Sequence, residues 1–215
     1  MKVKQKPAER VWKDFQKECN LSGRQLAQFQ RYEELLSQRN KEFNLTAIHD
    51  LSGIVRQHFI DSLALRNFTD LATIKMICDI GTGAGFPALP LKIIYPHLQV
   101  ILIEVTKKKQ LFLSEIIEQL SLSDVEIYDH DWRTFLRTTE AEVDLFLTRA
   151  AIDELELIKA FRPACFYKKT SLVYWVTDQW QPHKKVIELN LLRRLTPYKL
   201  GHKNRQLVFF GLAEQ

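Results

Sequence analysis

Met76-Ile77-Cys78-Asp79-Ile80-Gly81-Thr82-Gly83-Ala84-Gly85-Phe86-Pro87 is the stretch whose reading decides the fold. A short apolar run carries an acidic residue near its end, three alternate glycines stop it, and a helical pattern follows over Leu89 to Tyr95. A short apolar run bounded in this way fits a parallel strand covered on both faces. Glycine lets the backbone turn tightly and approach a ligand closely. The N–H groups of the loop and of the next helix can then hold an anion. Pro87 suits the first turn of that helix, where a missing N–H costs nothing.

Further along the chain, Val100-Ile101-Leu102-Ile103, Val125-Glu126-Ile127-Tyr128, Leu145-Phe146-Leu147 and Leu172-Val173-Tyr174-Trp175-Val176 read as four more strands. Lys107 to Leu120 reads as a helix with Leu111, Phe112, Ile116 and Leu120 on one face. Strand alternating with helix is the mark of βαβ units and a parallel sheet, so the expected class is α/β. Leu189 to Leu195 and Gln206 to Phe210 read as two further strands, with Thr196 to Arg205, which holds Pro197 and Gly201, as the loop of an antiparallel hairpin that closes the sheet.

Toward the N-terminus the period changes to that of helices. Val11, Trp12, Phe15 and Cys19 form one stripe, and Leu26, Phe29, Glu33 and Leu36 a second, introduced by the capping-box pair Ser22 and Gln25. A third helix is expected from Ser52, burying Ile54, Val55, Phe59 and Leu63, after a linker Phe43 to Ile48 with turn character at Asn44. The chain therefore divides into a helical extension over 1–70 and an α/β domain over 71–215.

Of 215 residues, 31 are Lys or Arg and 26 are Asp or Glu, a modest basic excess that suits a phosphate-rich partner such as RNA and is equally met by an unpartnered surface. Cys19, Cys78 and Cys165 are far apart and odd in number, which argues against a disulfide framework or a zinc site and for a reducing compartment. No apolar run approaches the ~20 residues of a membrane helix. The basic, polar stretch Met1 to Arg10 is followed by no apolar segment of a secretory signal. A cytoplasmic protein without membrane contact or metal, and a monomer by default, is expected.

The ligand class follows from the glycine loop and three later positions. The loop lacks the G-x-G-x-x-G spacing of a pyrophosphate cradle, and Asp79 would repel a pyrophosphate. Asp79 is better placed to take an ammonium through a water, as the amino-acid end of S-adenosylmethionine requires. Glu104, just past the second strand, reads either as the acceptor of both ribose hydroxyls or as a solvated carboxylate beside Lys107, Lys108 and Lys109. His130-Asp131-Trp132-Arg133 follows the third strand, where Trp132 reads either as a cover for an adenine ring or as a packed surface residue. Arg149, in Thr148-Arg149-Ala150 at the end of the fourth strand, faces the place where open α/β sheets bind ligands. It reads as a contact to a guanine O6 or an RNA phosphate, or else as an ion pair with Asp144 or Asp153.

Asn44-Leu45-Thr46, His58-Phe59-Ile60-Asp61-Ser62-Leu63, Asp79 to Pro90, Glu104 with its lysines and Thr148-Arg149-Ala150 occur in this order, with a fainter continuation at Arg205-Gln206-Leu207-Val208. Together they resemble the glucose-inhibited division protein B (RsmG) family, 16S ribosomal RNA methyltransferases that act at guanine N7. The resemblance implies a Rossmann-like class I methyltransferase sheet, S-adenosyl-L-methionine as cofactor and the small ribosomal subunit as partner. It implies that Gly81, Gly83 and Gly85 line the cofactor, that Glu104 holds its ribose and that Arg149 lies at the active site; with the readings of the residues above, the expected cofactor site is Asp79, Gly81, Thr82, Gly83, Gly85, Phe86, Glu104, Asp131, Trp132 and Arg149, with Arg149 also catalytic. Asn44, His58, Asp61 and Arg205 are implied at the substrate side. The chain departs from the family pattern at Gln57, where an arginine is usual, at Ala88, at Asp131-Trp132-Arg133, and at Val176-Thr177-Asp178, where the family has Leu-Lys-Gly. Arg149, Lys168 and Lys169 are the candidate replacements for that lysine. The alternatives are a paralogue with another RNA or small-molecule substrate, or a ribosome- or RNA-binding relative without catalysis.

Overall fold

The five apolar runs form five parallel strands: β1 (Met76–Ile80), β2 (Gln99–Ile103), β3 (Val125–Tyr128), β4 (Leu145–Arg149) and β5 (Ser171–Thr177). They are seen in a computed structural model that describes residues 7–149, 152–160, 165–188 and 191–211. The C-terminal strands β6 (Leu192–Leu200) and β7 (Lys203–Gly211) complete one sheet of order β3-β2-β1-β4-β5-β7-β6. β7 runs antiparallel to β5, and β6 antiparallel to β7. Strand order reverses between β1 and β4, so the crevice outside their carboxyl ends is where this class of sheet binds ligands.

Side chains alternate across the sheet because successive strand residues point to opposite faces. Ile77, Val100, Leu102, Leu147, Val173 and Trp175 lie in one core. Cys78, Ile101, Ile103, Phe146, Leu172 and Tyr174 lie in the other. The first core is covered by α5 (Ala88–Ile94), α6 (Lys107–Gln119) and the N-terminal helices; the second by α7 (Trp132–Thr138), by Tyr167 in a short 3₁₀ turn, and by α9 (Lys184–Glu188). α8 (Glu154–Ala160) links β4 to that turn. Leu111 departs from its expected helix face and is 65% exposed; Leu113 takes its place beside Phe112 and Ile116.

The helical extension comprises α1 (Pro7–Cys19), α2 (Gly23–Phe43) and a third helical stretch that begins one residue earlier than expected, at Leu51, because Asp50 caps it. That stretch is not uniform. α3 (Leu51–Ile54) passes into a π turn over Val55–Ile60, then α4 (Asp61–Leu63) and a 3₁₀ turn over Ala64–Asn67. The capping box forms as expected, with Ser22 N–H donating to Gln25 Oε1 at 2.9 Å and Gln25 N–H to Ser22 Oγ at 3.2 Å. α2 lies along α6, where Arg39 makes a bidentate pair with Glu115 at 2.7 and 3.0 Å and Gln28 donates to the Leu120 carbonyl at 2.8 Å. Phe15, Phe29, Tyr32 and Phe59 from the extension belong to the same apolar core as Ile77 and Val100 of the sheet.

The structure departs from the expected hairpin and from the expected place of Pro87. The hairpin loop is far shorter than Thr196 to Arg205: β6 continues through Pro197 to Leu200, and β7 starts at Lys203. β6 is the sheet's outer strand, where a proline is tolerated and polar residues face water. The expected start of that strand at Leu189 lies outside the described residues, as does Ala150. Pro87 sits just before α5 rather than in its first turn, after a cis Phe86–Pro87 bond.

Candidate active site

The glycine loop leaves β1 at the switch point and is pinned to its neighbour strand: Gly81 and Thr82 N–H both donate to the Ile103 carbonyl, at 3.0 and 3.2 Å. Gly83 and Gly85 have φ of +63° and +94°, a region that side chains rarely enter. At Gly85 a Cβ would collide with Tyr32 Oη and Leu89 Cδ1, each 2.5 Å away. At Gly83 the nearest atom to a Cβ is the Gly81 oxygen at 4.0 Å, so this part of the loop presents bare backbone to open space.

Asp79 is fully buried beneath the loop. Its Oδ2 accepts from Thr82 Oγ1 at 2.7 Å and from Ala88 N–H at 3.1 Å, while Oδ1 has no partner among the described residues. Burial pushes its pKa up to about 7, against the pull of those two hydrogen bonds. Glu104 is also buried, and so is not the solvated carboxylate of the alternative reading. Its Oε2 accepts from Gly83 N–H at 3.1 Å and its Oε1 from Thr106 N–H at 2.9 Å, with Lys109 Nζ 3.6 Å away. Beside it Val105 is 58% exposed, an apolar side chain left open at the ligand edge.

Arg149 ends β4 and turns back toward the helical extension. It donates to the Gln57 carbonyl at 3.0 Å, to His58 Nδ1 at 3.1 Å and to Asp61 Oδ2 at 3.4 Å. Its ion-pair partner is therefore Asp61. Asp144 instead accepts from the N–H groups of Lys75 and Met76, and Asp153 caps α8 through Glu156 N–H. The guanidinium lies 5.2 Å from the centre of the Phe86 ring. Arg205 Nη2 reaches Asp61 Oδ2 at 3.2 Å and Tyr198 Oη donates to Oδ1 at 2.6 Å, so one buried carboxylate gathers two arginines and a phenol. Trp175 Nε1–H holds the Asp61 carbonyl from below at 2.9 Å.

His58 is held neutral. Arginine has no acceptor, so Nδ1 carries no proton and accepts from Arg149, while Nε2–H donates to Thr46 Oγ1 at 2.7 Å. Burial, then the charge of Arg149, pulls its pKa down to about 3. The ring stacks on Phe86 at 4.5 Å, and Tyr32 stacks on Phe86 at 5.3 Å. Tyr32 Oη also donates to the Ala84 carbonyl at 2.5 Å, so the helical extension grips the glycine loop directly.

The positions expected from the sequence thus fall into two groups. Asp79, Gly81, Thr82, Gly83, Gly85 and Glu104 meet at the loop; Phe86, His58, Asp61, Arg149 and Arg205 meet on its other side. Asn44 is exposed and caps α2 with φ of +52°. The inward work falls to Asn40, whose side chain brackets both backbone groups of Thr46 at 2.8 and 2.9 Å and so sets Thr46 against His58. Asp131 is spent on capping α7 through the N–H groups of Arg133 and Thr134. Trp132 is buried in the second core with Arg133 over its face at 4.5 Å. Lys168 and Lys169 precede β5, at the end of the sheet opposite the ligand edge, and cannot replace a cation after that strand. Tyr32, Asn40 and Tyr198 carry no signal in the sequence, and Thr46 is marked only by its place in Asn44-Leu45-Thr46, because nothing local shows which polar residues distant parts of the chain will bury.

A family model described as rRNA small subunit methyltransferase G (GidB) matches residues 25–208. The chain belongs to the GidB family. Within the family it is 46% identical over 117 residues to ribosomal RNA small subunit methyltransferase G of Geobacillus kaustophilus, covering 54% of this chain and 49% of that protein. It is 48% identical over 139 residues to the protein of the same name from Chloroflexus aggregans, covering 64% and 58%. The chain thus spans about half the length of the curated relatives it matches. Among solved structures, the human methyltransferase 10 domain containing protein superposes with a TM-score of 0.59 at 15% identity, over 85% of this chain and 95% of that one. The fold of this GidB member is accordingly the Rossmann-like α/β methyltransferase fold expected from the alternation of strands and helices.

Proposed function

We propose that the protein transfers a methyl group from S-adenosyl-L-methionine to N7 of a guanine in 16S rRNA, within the small ribosomal subunit. The observation that carries this reading is the meeting, at one switch point, of an open glycine loop, a buried carboxylate bonded to that loop and an arginine at the next strand end. Two features fit the cofactor. Asp79 Oδ1 is a buried acceptor without a partner among the described residues, suited to the ammonium of an amino acid, directly or through a water. The backbone around Gly83 is open, and Glu104 stands at its edge where it can accept ribose hydroxyls.

The cofactor, when bound, supplies an electrophilic methyl group. Guanine N7 has an in-plane lone pair and no proton, so the chain needs no general base. His58 matches that requirement: its bare nitrogen is engaged by Arg149 and its other nitrogen is a donor. The residues' work is then placement and electrostatics. Arg149 is fixed by three acceptors and can meet O6 or a phosphate at the edge of the base, where its charge opposes the positive charge that grows on the ring less than it would over the ring's face.

The test is transfer of labelled methyl from S-adenosylmethionine to small subunits from a strain lacking the family enzyme, with cofactor binding followed by calorimetry. Label on one guanine N7 is expected. Arg149→Lys is expected to lower transfer by about 100-fold while cofactor affinity changes little, the size of effect typical of losing one positioned charge donor. Tight cofactor binding without label would assign another substrate, and no cofactor binding would favour a non-catalytic rRNA-binding role.

A further inference from the structure

The β6–β7 hairpin reaches past the carboxyl end of β5. Thr177, the last residue of β5, pairs with Arg205, so Lys203, Asn204 and the turn at Gly201 and His202 stand beyond that end, on the edge where Arg149 closes β4. The turn is fastened to the π stretch that carries His58. Lys203 Nζ donates to Gln57 Oε1 at 2.6 Å. The Arg56 guanidinium packs onto Gly201, whose φ of +62° and missing Cβ both make room for it. Tyr198 and Arg205, one from each strand, converge on Asp61.

This arrangement puts Arg56 and Lys203, both exposed, on the face of Arg149 and Arg205, while Lys199, also exposed, lies beside the turn on the hairpin's other face opposite Asn204, so that the turn end is cationic on both sides. Asp61 and Asp178 bond to the hairpin at this end. Asp61 is buried and already held by both arginines, and Asp178 is exposed and bonded to Asn204 at 3.4 Å. Two other cations are engaged or badly placed. Lys107 pairs with Asp129, and Arg194 donates to the Phe68 carbonyl and lies over Phe209 at the far end of the hairpin. Contacts to phosphates fix the register of a nucleic acid without reading its bases, and a cationic rim beside the crevice is suited to that task.

We propose that the turn end of the hairpin, through Lys199 and Lys203 with Arg56, grips the sugar–phosphate backbone of the RNA strand carrying the target base and so determines which base reaches Arg149. The proposal rests on the rRNA methyltransferase reading above. Its test compares the double variant K199E/K203E, and the milder K199Q/K203Q, with wild type and with K168E/K169E at the opposite end of the sheet. Affinity for 16S rRNA is measured by filter binding over a salt series, KM and kcat on small subunits by methyl transfer, and folding by thermal melts. The charge reversal is expected to weaken RNA binding by about tenfold or more near physiological salt. It should also make the salt dependence shallower by roughly 0.7 in slope for each phosphate that is no longer neutralised, with the larger change in KM rather than kcat. The neutral variant should fall between, and the control should match wild type. Wild-type affinity and slope in K199E/K203E, or an equal weakening in the control, would overturn the rim. If wild type binds 16S rRNA through these lysines yet transfers no methyl, the rim stands and the activity reading falls; if wild type does not bind the RNA, both fall.

Discussion

Burial shifts Asp79 and His58 in opposite directions. Asp79 has its pKa raised by burial to about 7 from an ordinary 3.8. Between those values the folded protein holds a proton that the unfolded chain has released, so stability falls as pH rises from about 4 to about 7. His58, lowered by burial and by Arg149 to about 3 from an ordinary 6.5, stays neutral when the unfolded chain is already protonated. Its contribution is present above about pH 6.5 and is lost as pH falls toward 3. The two slopes oppose each other over most of the same window, each at ~1.4 kcal/mol per pH unit at most. Asp79→Asn should therefore unmask a stability that climbs from pH 4 to 6.5, and His58→Asn one that declines. Urea unfolding at half-unit pH steps measures both; a flat profile in each variant would mean that neither group titrates as its burial implies.

Between elements, the decisive contact is that of α2 with the glycine loop. Tyr32 reaches the Ala84 carbonyl, and its hydroxyl fills the space that a Cβ on Gly85 would need. Tyr32→Phe leaves a buried carbonyl unpaired, at a cost of about 1–3 kcal/mol, and frees the loop that would receive the cofactor. A severalfold rise in cofactor Kd with a modest fall in Tm is expected from calorimetry and melting, while a Tm change alone would make Tyr32 merely structural. This contact was not legible in the sequence, though the elements it joins were. The runs at Ile77, Val100 and Leu145 are buried on both faces, so their composition alone marks them as central strands. β6 has no such mark, since only Thr196 and Leu200 of its nine residues are buried, Leu192 and Tyr198 are half-buried and the other five are exposed. The π turn was hidden for another reason: its residues keep a helical apolar pattern, and the extra residue in the turn shows only in the hydrogen bonds. The partners of Arg149 lie about ninety residues earlier, a pairing that no local period reports.

At the scale of the molecule, the helical extension and the sheet share one apolar core, with Phe59 touching both Phe15 and Phe86. Unfolding is then expected as a single calorimetric transition rather than two. Phe59→Ala should destabilise by about 3–5 kcal/mol and take the glycine loop's support with it; two separate transitions would show that the extension folds independently. The sheet's outer strands bear on how the protein behaves in a crowded solution. Among the described residues no strand pairs with the outer side of β6, and an unpaired side is a template on which strands of other copies can add. It carries Pro197, which lacks one backbone donor, and Arg193, Arg194 and Lys199, which repel one another between approaching copies. At the opposite margin β3 is only four residues long and carries Glu126. These are protections against edge-to-edge aggregation, and the hairpin's outer strand has to keep them however its turn is used.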